Sequence, residues 1–537
     1  MGNPGVGRDR IPAGILMRNT KVLLAAVLIS LLGARLSAEA PAYDIVITGA
    51  RVVTGDGSPA FLADVGIRGD RIAAIGPLRV PSGARLIRAR GRVLSPGFID
   101  IHTHAEDGLL EFPTADNYLL QGVTTLVGGN CGASPWPLSD LFERIEHGGS
   151  AVNFASFSGH NTLRARVMGR KTASPSSREM RLMREMLDRD MRAGAVGLST
   201  GLTYFPGRHT ALREIAALAE VIAPYDGVYA THMRSEGRDI ALALEEAVRI
   251  GEKAGVRVQV SHLKLSGESV RGHPHLILER LEIARRRGVR VTADLYPYTA
   301  SSTSFSTWFP HWTRPVLRSR SKSTPAYRRL KIRLARAFSG GLDRFVVGSC
   351  PARPQLEGKN FADILTSRGT DPSAQNAAEL LIDIQRRGRA QGIFFSMRES
   401  DVETLLRLDD VMVASDGEVV GWEEGHPHCR SYGTFPRILA RFVREKKILS
   451  LEAAVRKMTA LPARSLGLRD RGLIREGFRA DLVLFDPLTI RDTATYARPH
   501  AYPEGIFWVM VNGRMAAENG RATGVLAGRV LRGRRDE

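Results

Sequence analysis

Six residues could hold a metal ion. His102 and His104 end the stretch Pro96-Gly97-Phe98-Ile99-Asp100-Ile101-His102-Thr103-His104. Phe98, Ile99 and Ile101 suit a buried strand, and Pro96-Gly97 marks an abrupt entry into it. Alternate strand residues share a face, so the two imidazoles point the same way, roughly 7 Å apart along the chain. Cys131, His232, His262 and Asp416 each follow another short apolar run. Any one of them alone could be structural. Imidazole, thiolate and carboxylate together suit zinc, with other divalent metals left open.

The runs that carry these residues alternate with helical stretches. Thr124-Thr125-Leu126-Val127 precedes Cys131, Gly227-Val228-Tyr229-Ala230 precedes His232, and Val256-Arg257-Val258-Gln259-Val260 precedes His262. Val411-Met412-Val413-Ala414 precedes Ser415-Asp416-Gly417. About eight strand-then-helix units predict an α/β fold, a (β/α)8 TIM-like barrel over residues 96–470. Such barrels put their active sites at the C-terminal ends of the strands, where all six residues fall.

Residues 41–95 and 471–537 read as short strands and turns, predicting a small β-sandwich domain built from both chain ends, with an Asn512-Gly513 turn in its second part. The stretch from about 303 to 400 is too long for one connection. It carries Arg314, Arg318, Arg320, Lys322, Arg328, Arg329, Lys331, Arg333 and Arg336, and part of it is expected to be an inserted lid or subdomain, with a solvated basic helix as the alternative. Leu451 to Leu466 is expected to be one helix.

The chain has 537 residues, 43% of them hydrophobic, and a net charge of +20. That charge is a solvated surface or an attraction for anionic substrates, cell-wall polymers or lipid head groups. No helix-turn-helix, zinc-finger or aromatic-interleaved basic motif supports nucleic-acid binding. Three cysteines, Cys131, Cys350 and Cys429, do not make a disulfide framework. Residues 1–40 read as a signal peptide. Arg8, Arg10, Arg18 and Lys21 precede the apolar run Val22 to Leu32, and Ser37, Ala38 and Ala40 follow. The expectation is an exported protein, periplasmic or secreted, with no transmembrane span once mature; a retained N-terminal anchor is the alternative.

Taken together, the motif residues resemble the amidohydrolase superfamily, and more closely the D-aminoacylases (N-acyl-D-amino-acid deacylases). The resemblance rests on Gly97 to His104, Gly129-Asn130-Cys131-Gly132, Thr231-His232-Met233-Arg234, Ser261-His262-Leu263-Lys264, Tyr296-Pro297-Tyr298, Ser415-Asp416-Gly417 and His426-Pro427-His428-Cys429-Arg430. A cysteine in place of a carboxylated lysine favours this branch over hydantoinases and dihydroorotases. The resemblance implies a tighter zinc at Cys131, His232 and His262. It implies a second, weaker site at His102, His104 and Asp416, with Asp416 as the proton carrier. It also implies that Lys264, Arg430, Tyr204, Tyr296 and Ser302 bind a small N-acyl amino acid. The competing readings are a cyclic-amide hydrolase and a non-catalytic barrel scaffold.

Overall fold

The computed structural model describes residues 1–5, 43–319 and 321–533. The basic start, apolar run and possible cleavage positions of the expected signal peptide, and Arg320 in the expected insert, lie outside the described residues.

Eight parallel strands form a closed barrel. In chain order they are Phe98–Asp100, Val123–Gly128, Asn153–Ser156 continued by Ser158–Gly159, Gly197–Gly201, Val228–His232, Arg257–Val260, Val291–Leu295 and Val411–Val413. The second strand, Val-Thr-Thr-Leu-Val-Gly, is buried at every position. Helices cover its outer face and the barrel interior its inner one, so no polar alternation is needed. Ile99, Ile101, Val127, Ala155, Ala230 and Met412 belong to one apolar cluster with Leu461, Ala463 and Leu466. Arg257, at the start of its strand, donates to the Ser465 carbonyl at 2.7 Å, which places the latter helix at the N-terminal end of the barrel.

The covering helices show the expected caps. Ser177–Ala193 opens on a reciprocal capping box between Ser176 and Glu179 and closes on Gly194 at φ 110°. Its Met183, Leu187 and Met191 are buried, while its arginines lie on other faces. The helix expected over Leu451 to Leu466 is instead two, Leu451–Met458 and Ala460–Leu466, broken at Thr459. Pro462 explains the break: it has no N–H for the Met458 carbonyl, and its ring would clash there in a continuous helix.

The seam between the first and eighth strands lies at the ligand-bearing residues. Asp416 N–H donates to the His102 carbonyl at 2.9 Å, and His104 N–H to the Gly417 carbonyl at 2.8 Å. Inside the barrel, the Asp100 carboxylate accepts from the backbone N–H groups of His102 (3.2 Å) and Ser415 (3.1 Å), joining the same two strands.

A nine-stranded sheet forms the β-sandwich domain, mixing strands from 45–96 with strands from 482–522. Its alternation divides two cores. Leu482, Leu484, Trp508 and Met510 join Ile47, Val65 and Ile67 inside the domain. Val483, Phe485, Val509 and Val511 belong to the main core shared with the barrel. Asn512 and Gly513, at φ 47° and 76°, make the tight turn between Ile506–Val511 and Arg514–Glu518.

Between the seventh and eighth barrel strands the chain leaves the barrel. Strands Ala300–Ser304, Phe345–Val347 and Gln391–Phe395 make a small antiparallel sheet. Helices including Pro325–Ala337 and Ala374–Arg387 pack with it over a separate core of Phe305, Leu330, Phe361, Ala377 and Leu381. Among the described residues, no helix is long and apolar enough to cross a membrane.

Candidate metal centre and active site

The six donors come from five strand ends and converge. Two sets each place their donor atoms within 4.8 Å of one another: His102, His104, Cys131 and Asp416, and Cys131, His232 and His262. Cys131 belongs to both. Its Sγ lies 3.4 Å from His102 Nε2, 3.5 Å from His262 Nε2 and 3.6 Å from His232 Nδ1. Asp416 Oδ1 lies 3.3 Å from His102 Nε2 and 3.2 Å from His104 Nε2.

These separations fit a metal. Two ligands about 2.0–2.3 Å from a tetrahedral zinc stand roughly 3.3–3.7 Å apart. His232 Nδ1 and His262 Nε2 are closer, at 2.8 Å, and share one hydrogen bond.

The charges fit as well. Burial would raise the Cys131 thiol, but His102 and His262 beside it bring it well below its ordinary range. Burial would likewise raise Asp416, and Arg430, His262 and His102 hold it well below the usual carboxylate range. Both groups are therefore in the deprotonated form that a metal needs. His104 answers them: against the effect of burial, Asp416 and Cys131 push it up to about 10. The cluster collects positive charge around a buried thiolate and carboxylate, which a cation would supply.

Three of the donors sit on unusual backbone. Cys131, His262 and Asp416 have φ of 53°, 38° and 53°, in the left-handed region that side chains other than glycine rarely enter. Each stands two or three residues beyond its strand, where the chain turns.

The proposed substrate ligands line one cavity of about 740 Å³ beside the donors: Tyr204, Lys264, Tyr296, Ser302 and Arg430. Both cations are already partnered. Arg430 Nη1 lies 2.7 Å from Asp416 Oδ2, with its guanidinium 4.7 Å from the Tyr296 ring centre. Lys264 Nζ lies 2.5 Å from Glu236 Oε1 and donates to the His262 carbonyl at 2.9 Å. The Tyr204 ring stands edge-on to His232 at 4.7 Å. Ser302 sits on an edge strand of the inserted unit's small sheet, in register with Ile393.

Sequence reasoning passed over three carboxylates. Asp294 Oδ1 is 3.1 Å from His102 Nδ1 and accepts from His262 N–H at 2.8 Å, while its other oxygen takes Gln259 Nε2 at 2.7 Å. Glu236 Oε1 is 2.8 Å from His262 Nδ1. Asp100 is the carboxylate inside the seam. The available signal was position, since Asp294 also lies near the C-terminal end of a barrel strand. Such partners fix the ring orientation of ligand histidines, and their loss costs about 10–100-fold in metal affinity. Asp294→Asn is expected to fold and to weaken metal binding by that factor, read by metal titration of the stripped protein. Unchanged affinity would mean that His102 is oriented by something else.

The chain matches the amidohydrolase family (Amidohydro_3) over residues 85–306 and 368–517. It belongs to that family of barrel hydrolases. A D-aminoacylase of Alcaligenes xylosoxydans xylosoxydans is 35% identical, over 91% of this chain and 97% of that one. A solved D-aminoacylase with a binuclear metal centre is 36% identical, covers 91% of this chain and 100% of its own, and superposes with a TM-score of 0.79. The N-acyl-D-glutamate deacylase of Bordetella bronchiseptica, solved with zinc and a phosphonate mimic of the tetrahedral intermediate, is 33% identical at the same TM-score, with 91% and 99% coverage. Within the family, these place the chain in the D-aminoacylase branch.

Proposed function

We propose that the protein hydrolyses the amide bond of N-acyl-D-amino acids, releasing a carboxylic acid and a D-amino acid. The observation that carries this reading is one carboxylate, Asp416, shared between a metal-donor set and the buried cation Arg430 on the wall of the cavity. The named relatives act on this substrate class. The reading takes zinc as the metal, with a tighter site at Cys131, His232 and His262 and a weaker one at His102, His104 and Asp416. Zinc, when bound, polarises the scissile carbonyl and eases deprotonation of water.

The chain's own groups do the rest. Asp416 is unprotonated and stands beside the donors, so it takes the proton of the attacking water and returns it to the departing amine. Arg430 spends one edge on Asp416 and has further N–H groups for the substrate carboxylate. Lys264 and Glu236 hold His262 in place. Tyr204 and Tyr296 form walls that orient the amide, and Ser302 offers a hydroxyl. The N-terminal basic and apolar stretch supports an exported location.

The deciding experiment is a panel of N-acyl-D- and N-acyl-L-amino acids assayed with zinc and after chelation. Zinc-dependent turnover of the D-series supports the reading. Faster opening of cyclic amides, or no turnover of either series, would overturn it. Arg430→Met should raise KM for the D-substrate about 10–100-fold, the loss of a charged hydrogen bond or two. An unchanged KM would remove Arg430 from the substrate clamp.

A further inference from the structure

The inserted unit carries a second concave site at the edge of the first. A groove of about 970 Å³ is walled by Trp308, Trp312 and the helix Pro325–Ala337. It meets the catalytic cavity at Thr307 and Trp308, which line both. Helical spacing explains its chemistry. Tyr327, Leu330 and Leu334 are buried in the core of the unit. The other face presents Arg328, Arg329, Ile332, Arg333 and Arg336 to the groove.

That face combines apolar surface with unanswered charge. Ile332, 58% exposed, adds apolar surface to the groove beside Trp308 and Trp312. Arg329 stacks on Trp312 at 5.1 Å. Lys322 and Lys331 share Glu379. Among the described residues, no carboxylate pairs with Arg328, Arg333 or Arg336. The barrel contributes Arg208, whose Nε is buried with no hydrogen-bond partner and whose pKa is lowered by burial and by the charge of Arg333. Like charges held together at a rim, with no anion between them, cost energy that an anionic ligand would offset.

We propose that this groove is an outer subsite for the far end of an extended acyl group, and that the preferred substrates carry an acyl chain with a distal anionic group. The proposal rests on the deacylase reading. With the substrate carboxylate anchored at Arg430 inside the cavity, the acyl group leaves on the opposite side of the amide. A short acyl group stops inside the cavity. A longer one crosses Trp308 and lies along Trp312 and Ile332, with its distal carboxylate against Arg333 and Arg336.

The test compares N-acetyl-, N-decanoyl- and N-sebacoyl-D-amino acids on the zinc-loaded full chain, in the wild type and in Arg333→Glu. Sebacoyl and decanoyl chains have the same length and differ in the terminal carboxylate. The expected result is a kcat/KM for the sebacoyl substrate at least about tenfold above the decanoyl one, falling as salt is added. Arg333→Glu should abolish that difference and leave N-acetyl turnover unchanged. Calorimetric binding of the sebacoyl compound should show the same dependence on Arg333. If no N-acyl-D-amino acid is cleaved, the deacylase reading fails by itself, while calorimetry still decides the subsite. Equal kcat/KM for both long chains would overturn the proposal. So would a dependence on Arg333 that follows the amino-acid side chain rather than the acyl chain. Arginine-dependent sedimentation with phosphatidylglycerol vesicles, without any acyl preference, would also overturn it and make this face a membrane contact.

Discussion

Asp416→Asn should fold, keep its cavity and lose turnover by about 10²–10⁴-fold, the usual worth of a positioned proton carrier. Asparagine preserves the shape and leaves one oxygen to accept from Arg430, so the buried guanidinium is not stranded. What it lacks is the negative charge that accepts the water's proton. The substitution also weakens the His102, His104 and Cys131 set, so metal content must be measured beside kcat. Loss of turnover with metal still bound at Cys131, His232 and His262, and with an unchanged circular dichroism spectrum, would isolate the proton-transfer role. Activity within tenfold of the wild type would reject it.

Cys131→Ser should have a different signature, because Cys131 Sγ is the one donor common to both sets. A serine hydroxyl is not ionised near neutrality and offers a zinc ion far less than a thiolate does. Both positions should lose affinity by more than the about 10–100-fold expected for a partner behind a ligand. His104→Ala removes a donor from one set only and should leave a metal at Cys131, His232 and His262. Metal analysis after dialysis separates the two outcomes. A Cys131→Ser protein that retains its full complement would show that the two sets do not share a ligand.

Much of the site was legible because its residues announce themselves by type and place. His102 and His104 alternate at the end of an apolar run, and Cys131, His232, His262 and Asp416 recur after four others. The barrel then brings together residues more than 300 positions apart. The supporting carboxylates were not legible. Asp294 and Glu236 look like ordinary strand-end and loop acids until neighbouring strands place them against His102 and His262. Lys264 and Arg430 were expected to bind a substrate carboxylate, and each also holds a buried carboxylate of the protein, Glu236 and Asp416. The break at Thr459 was foreshadowed only by Pro462, three residues on.

The left-handed residues at the metal donors have a consequence for how this chain can change. Each left-handed non-glycine residue costs of order 1–3 kcal/mol, and three of them sit within one site. Glycine at Cys131, His262 or Asp416 would relieve the backbone, and in each case it would delete a donor. Stability and catalysis thus pull against each other at the same three positions. A descendant released from hydrolysis would gain stability by drifting there first, and the loss of its chemistry would accompany a firmer barrel.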